Sequence, residues 1–193
     1  MDTSSNKIIE QYISSPRGFI EISVESTQSS SDVVFFSRKP IEAAPSIIQN
    51  VRAIDVAAYI LGKMGLCTSM KLHKLLYYCQ AWSLVWDEAP LFNDRIEAWA
   101  NGPVVKDLFP IHRGLFQVDA NLFGTGNPKR LSRAQMDTID SIIEFYGHKT
   151  AQWLINLTHS ESPWKEARKG LDAMERGSKE ITLESMYEYY SSL

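Results

Sequence analysis

Hydrophobic residues recur at steps of three and four through the segment KLHKLLYYCQAWSLVW, residues 71–86. The repeating positions are Leu72, Leu75, Leu76, Cys79, Trp82 and Trp86. This period predicts a helix of about four turns with one buried face, and we expect it to be the central helix of the fold. The polar side carries Lys71, His73, Lys74 and Gln80, which we expect to face solvent as charged side chains usually do.

Apolar positions with the same helical period flank this segment on both sides. They predict further helices over about 56–64, 103–109, 133–146, 149–158, 162–170 and 182–190. Ser132 and Gln135 form the capping-box pattern at the start of one helix, and Pro103 suits the first turn of another. The predicted fold class is therefore mainly α, a compact multi-helix domain around a central helix.

The N-terminal part follows a period of two instead. Ile20, Ile22 and Val24 alternate with polar residues, and a short apolar run follows at 33–36, so residues 16–40 predict a small β-hairpin. Its strands would either extend the sheet of a partner or pack against the helical domain. The proline-containing connector that follows predicts a variable N-terminal extension over 1–50 and a helical domain over 51–193.

Composition narrows the class of protein. The chain has 193 residues, 44% of them hydrophobic, which is enough to bury a core without disulfides or metal. No apolar run approaches the roughly 20 residues that span a bilayer, and the N-terminus lacks the pattern of a signal peptide, so we expect a soluble cytoplasmic protein without membrane contact. A net charge of −3 argues against nucleic acid as a partner.

Residue types that could support catalysis are present without a catalytic pattern. His159, Ser160 and Glu161 are adjacent, and adjacent side chains rarely face one another; no nucleophile elbow accompanies them. We expect Thr158 to Ser160 to satisfy helix-end backbone groups instead. The cysteines and histidines show no metal-ligand spacing, and no phosphate-binding glycine motif occurs. The expectation is a protein that is not an enzyme and has no cofactor.

Four segments then occur in a characteristic order: KLHKLLYYCQAW, IEAWANGPVV, HRGLF and THSESPW. In this order and spacing they resemble the Panacea domain, the SocA-like antitoxin domain also found in phage-associated GepA-type proteins. The resemblance covers about residues 53–193. His73 stands where glutamine is the more common residue, and Cys79 where alanine is, but neither changes the helical period.

The resemblance implies a helical antitoxin, often carried by prophages, that neutralises a protein toxin encoded by an adjacent gene through direct contact. Two alternatives stay open: an adaptor that delivers the toxin to a cellular protease, and a transcriptional autoregulator acting through residues 1–50. A homo-oligomer also stays open. We place the interface near the central helix and the THSESPW corner. The candidate partner-binding residues are Lys71, His73, Lys74, Tyr78, Asn101, His159, Glu161 and Trp164.

Overall fold

The computed structural model describes residues 11–15, 18–22 and 50–193, and this part of the chain is mainly helical. The helices are α1 Ala53–Met64, α2 Ser69–Trp86, α3 Phe109–His112, α4 Arg133–Tyr146, α5 Ala151–Ser160, α6 Ser162–Ala167 and α7 Leu183–Tyr190. The strands are β1 Gln11–Ser15, β2 Gly18–Ile22, β3 Cys67–Thr68, β4 Ile96–Trp99, β5 Gly102–Val105 and β6 Gln117–Val118. The strands pair antiparallel as β1 with β2, β3 with β6, and β4 with β5. The mainly α fold class is confirmed.

Helix α2 is the centre of the fold, as its hydrophobic period predicts. The Thr68 side chain accepts a hydrogen bond from the Lys71 amide at 3.2 Å and so caps the first turn. Helices α1, α4, α5 and α7 and strand β5 all pack against α2. Leu72, Leu75, Leu76, Cys79 and Trp82 are fully buried. A helix surrounded on every side has no solvent face, and this affects how its polar residues must be interpreted.

The expected solvent exposure of the polar side of α2 is wrong. His73 is 3% exposed, and Lys74 and Gln80 are each 1% exposed. The chain after α2 folds back over this side, and buried polar groups are tolerated because they find hydrogen-bond partners. The Gln80 amide, for example, donates to the Phe92 carbonyl at 2.9 Å and accepts from the Leu91 amide at 3.0 Å.

The helix predicted to start at Pro103 is also wrong, because Gly102–Val105 is strand β5 of a hairpin with β4. Gly102 has a φ of 95°, a left-handed conformation that suits the residue after a tight turn. Pro103 pairs with Ala98, whose amide points away from β5 and donates to the Lys179 carbonyl at 2.9 Å. The missing N–H of Pro103 therefore costs no hydrogen bond in this hairpin.

The other predicted helices agree more closely with the structure. The capping box of α4 is present, with the Ser132 amide donating to the Gln135 side chain at 2.9 Å. Helix α5 runs over Ala151–Ser160, two residues later than predicted, and α6 begins at Ser162 with Pro163 in its first turn.

The N-terminal strands β1 and β2 pair in a register from Gln11 opposite Ile22 to Ser15 opposite Gly18. The second strand of the predicted hairpin, at 33–36, and most of the connector that follows it lie outside the described residues. The hairpin over 16–40 and the domain boundary near residue 50 therefore stay predictions.

Candidate partner-binding site

A cavity of about 300 Å³ opens beside the first turns of α2. The β4–β5 turn, helix α3 and the loop after α6 enclose it, contributing Asn101, His112 and Arg176 respectively. From α2 itself, His73 and Lys74 reach it. It therefore joins four stretches that are far apart in sequence, and its inner side is formed by the polar residues of α2 that were expected in solvent.

Two buried histidines meet in this wall. Nδ1 of His73 accepts a hydrogen bond from the Val105 amide at 3.1 Å, and Nε2 of His73 lies 2.6 Å from Nε2 of His112. Because Nδ1 of His73 is an acceptor, its proton sits on Nε2 and is donated to His112. Burial lowers the pKa of both rings, and the neighbouring His112 and Lys74 lower that of His73 further. Both rings are therefore neutral at pH 7. Their hydrogen bonds connect α2 to α3 and to β5.

Lys74 is the titratable amine of the cavity wall on α2. Its Nζ donates to the Pro103 carbonyl at 3.1 Å. Burial lowers the pKa of Lys74 from 10.5 to about 7, since the charged form loses its hydration. Within the described part of the chain, no carboxylate lies within ion-pair distance of this amine. Lys74 is thus a buried amine whose charge is not neutralised by the domain itself.

Exposed apolar side chains lie at the mouth of the cavity: Met70, Leu115 and Met174 line it, and Phe116 follows Leu115 in the chain. We use "apolar rim" for Met70, Leu115, Phe116 and Met174, which are between 41% and 81% exposed. Ser69 fixes part of it, because its amide donates to the Phe116 carbonyl and its hydroxyl to the Leu115 carbonyl, both at 3.0 Å. Exposed apolar groups clustered around a polar cavity are typical of a protein-binding surface.

A comparison with protein families found a match for the part of the chain that forms most of this site. The family model described as antitoxin SocA-like, Panacea domain, matches residues 72–165. These residues match the Panacea domain. The family description supports an antitoxin role in general, and hence a toxin as partner. Searches of the curated proteins and of the solved structures found no significant match.

Three of the predicted interface residues line the cavity, namely His73, Lys74 and Asn101. Lys71 lies outside it, half-buried, with its amine donating to the Gly147 carbonyl. His159 and Trp164 stack on each other with ring centroids 3.9 Å apart. The indole N–H of Trp164 donates to the Trp99 carbonyl at 3.0 Å. The stacked His159 and Trp164 rings are therefore bonded to the end of β4, next to the β4–β5 turn.

Tyr78 and Glu161 were predicted at the interface, but both are buried in a cluster of tyrosines. The hydroxyls of Tyr78 and Tyr190 donate to the Glu161 carboxylate at 3.2 and 2.7 Å. Burial raises the pKa of Glu161 to about 8, although these hydrogen bonds favour its charged form. Glu161 is 4% exposed, so it offers almost no surface for a partner to contact in this fold.

The neighbouring side chains at the end of α5 point to different places, as expected for helix-end residues. The Thr158 hydroxyl donates to the Ile155 carbonyl at 2.9 Å, and the Ser160 hydroxyl donates to the Leu157 carbonyl at 2.7 Å. His159 stacks on Trp164, while Glu161 faces the tyrosines. The residue types of a hydrolytic site are therefore adjacent in sequence and separated in space.

Trp99, His112, Phe116 and Arg176 belong to the site but are missing from the sequence-based candidates. Three of them lie in segments that carry the family resemblance: Trp99 in IEAWANGPVV, and His112 and Phe116 in HRGLF. Within the described residues no group of three His, Cys, Asp or Glu side chains could hold a metal ion. The helices of this region include none with the length and hydrophobicity needed to cross a membrane.

Substitution of His73 tests the histidine pair. Leucine would leave the Val105 amide without an acceptor and His112 without a donor, so we expect the free energy of unfolding to fall by about 2 to 3 kcal/mol. Glutamine offers an acceptor and a donor, so His73→Gln should stay within about 1 kcal/mol of the wild type. Urea unfolding at pH 7.5 measures both; equal losses in the two variants would contradict the assigned hydrogen bonds.

Proposed function

We propose that this protein is the antitoxin of a toxin–antitoxin pair and neutralises its toxin by direct binding. The match of residues 72–165 to the SocA-like antitoxin family supports the biological role. The observation that carries the mechanism is the apolar rim at the mouth of the cavity. Its four side chains would lose contact with water on binding, which stabilises a complex by roughly 25 cal/mol for each Å² of apolar area.

The binding face in this proposal is the cavity together with the apolar rim. Phe116 is the most exposed aromatic side chain of the described residues, and it lies on a loop fastened to α2 through Ser69. Interfaces gain most of their affinity from a few aromatic or cationic residues near the centre of the contact. Phe116, Lys74 and Arg176 have these properties; Phe116 and Arg176 are exposed, and Lys74 is buried in the cavity wall.

We also propose that the protein acts by binding and not by catalysis. The ring nitrogens of His73 are both engaged, one with the Val105 amide and one with His112. A general base needs a ring nitrogen free to accept a proton from a substrate, which His73 lacks. The histidine pair is best explained as a support for the cavity wall.

Co-expression with each neighbouring gene tests the proposed function. If the proposal is right, one neighbour arrests growth alone, and this protein restores growth and co-purifies with its product in a fixed ratio. Restored growth without a complex, together with protease-dependent loss of the toxin, would replace the proposal by the adaptor mechanism. Absence of any toxic neighbour would remove the support for the antitoxin role.

Truncation of Phe116 tests the binding face. We expect Phe116→Ala to weaken toxin binding at least tenfold without changing stability, because its side chain is 76% exposed. Tyr187→Ala is the matched control, since Tyr187 is 49% exposed and lies on α7, away from the residues that line the cavity. Calorimetric titration of purified toxin measures both affinities; equal losses in the two variants would rule out this face.

A further inference from the structure

The charge of the cavity is one-sided. Lys74 and Arg176 line it beside the neutral pair His73 and His112, and no Asp or Glu occurs among the described residues that form its wall. The nearest strand carries Glu97, but that carboxylate lies 3.3 Å from Lys106, 3.6 Å from Arg95 and 2.9 Å from the Trp99 indole nitrogen. Glu97 is therefore engaged elsewhere, and the field inside the cavity favours an anion.

Lys74 has hydrogen-bonding capacity to spare. An ammonium group has three N–H donors, and among the described residues one hydrogen-bond acceptor meets it, the Pro103 carbonyl. Lysine is almost never fully buried without an opposite charge, because an isolated buried cation is unfavourable. A carboxylate brought by a partner would supply both the charge and the missing acceptors.

The rest of the wall is apolar and aromatic. Trp99 and Phe109 pack edge to face with centroids 4.7 Å apart, and the Arg176 guanidinium lies 4.7 Å from the centroid of the Trp99 ring. Met70 and Leu115 extend the apolar surface to the rim. A volume of about 300 Å³ is at the small end of ligand sites and suits one residue-sized group.

We propose that this cavity receives a carboxylate and an adjoining apolar side chain of the bound toxin, with the carboxylate against Lys74 and the apolar group against Trp99 and Phe109. The inference rests on the proposed function, because the toxin is the source of the group. Asn101 at the hairpin turn and Arg176 at the mouth would then provide further donors for the same anion.

A pair of small probes tests the chemistry without the toxin. N-acetyl-L-phenylalanine carries a carboxylate and an aromatic side chain, and N-acetyl-L-phenylalaninamide has the same shape without the charge. We expect the acid to bind the full chain at pH 6.5 with a Kd on the order of 1 mM, and the amide at least tenfold more weakly. The NMR signal of the Trp99 indole N–H reports binding in the cavity. Equal affinity for acid and amide would overturn the proposal, whatever the variants do.

Two lysine variants identify the contact. Lys74→Met keeps a side chain of similar length without charge, and a buried charge replaced by an apolar group is usually compatible with folding. We expect it to weaken binding of the acid at least tenfold. Lys71→Met is the control, because Lys71 is on the same helix but its amine is bonded to the Gly147 carbonyl outside the cavity. Loss of acid binding in both variants, or in neither, would contradict a specific role for Lys74.

A titration with the purified toxin separates this inference from the proposed function. If both hold, Lys74→Met weakens toxin binding at least tenfold and Lys71→Met does not. Wild-type binding to toxin that is unaffected by Lys74→Met would leave the antitoxin role intact and overturn the cavity as its anchor. Failure of the wild type to bind any toxin would reject the proposed function and, with it, the toxin as the source of the carboxylate.

Discussion

Replacing Gly102 by alanine is expected to lower the free energy of unfolding by about 3 kcal/mol or more. A Cβ at this position would lie 2.5 Å from Cε of Lys74 and 2.9 Å from the Thr158 hydroxyl oxygen. The φ of 95° adds conformational strain of about 1 to 2 kcal/mol for a residue with a side chain, and overpacking adds about 1 to 3 kcal/mol. Urea unfolding at pH 7.5 measures the change.

Gly114→Ala is the matched control for this prediction. Gly114 has a similar φ of 85°, but nothing lies within 4 Å of a Cβ placed there. The control should lose only the conformational part, about 1 to 2 kcal/mol. Equal losses in the two variants would mean that contact with Lys74 and Thr158 is not what restricts position 102 to glycine.

Replacing Glu161 by glutamine is expected to change how stability depends on pH. Burial raises the pKa of Glu161 from 4.5 to about 8, so the folded protein binds this proton more tightly than the unfolded chain. The contribution of this group is fully present below pH 4.5 and is lost as the pH rises to about 8. The stability of Glu161→Gln relative to the wild type should therefore increase by about 1.4 kcal/mol for each pH unit in this window.

The measurement is urea unfolding of both proteins at several pH values between 5 and 8. The lowered pKa values of His73 and His112 act in both proteins and cancel in the difference. Glu166→Gln is the control, because Glu166 is an exposed carboxylate on α6. A difference between Glu161→Gln and the wild type that is constant over this range would show that Glu161 folds as an ordinary carboxylate.

The helices were predictable because their information is local. The apolar steps in residues 71–86 define α2, and the Ser132 to Gln135 pattern defines the start of α4. The residues that cover the polar side of α2 are distant in sequence, so no local pattern identifies them. Lys74 is buried because the β4–β5 hairpin covers it. The sequence does not reveal this hairpin, because Pro103 is equally typical of the start of a helix.

The candidate site was predictable only in part for the same reason. His73, Lys74 and Asn101 were selected as polar residues of the segments that carry the family resemblance, and they do line the cavity. Arg176 was not selected, because it lies in a loop without any hydrophobic period. Glu161 is buried instead of exposed, and its acidic side chain gave no sign that tyrosines distant in sequence would enclose it.

The most direct test of direct neutralisation uses purified components without any protease. The toxin is assayed against its target while this protein is titrated in, alongside Phe116→Ala and Tyr187→Ala. The proposal predicts that the wild type and Tyr187→Ala abolish toxin activity at a fixed stoichiometry, and that Phe116→Ala needs at least tenfold more protein. Toxin activity that persists in a stoichiometric excess of wild type, and falls only when a cellular protease is added, would contradict it.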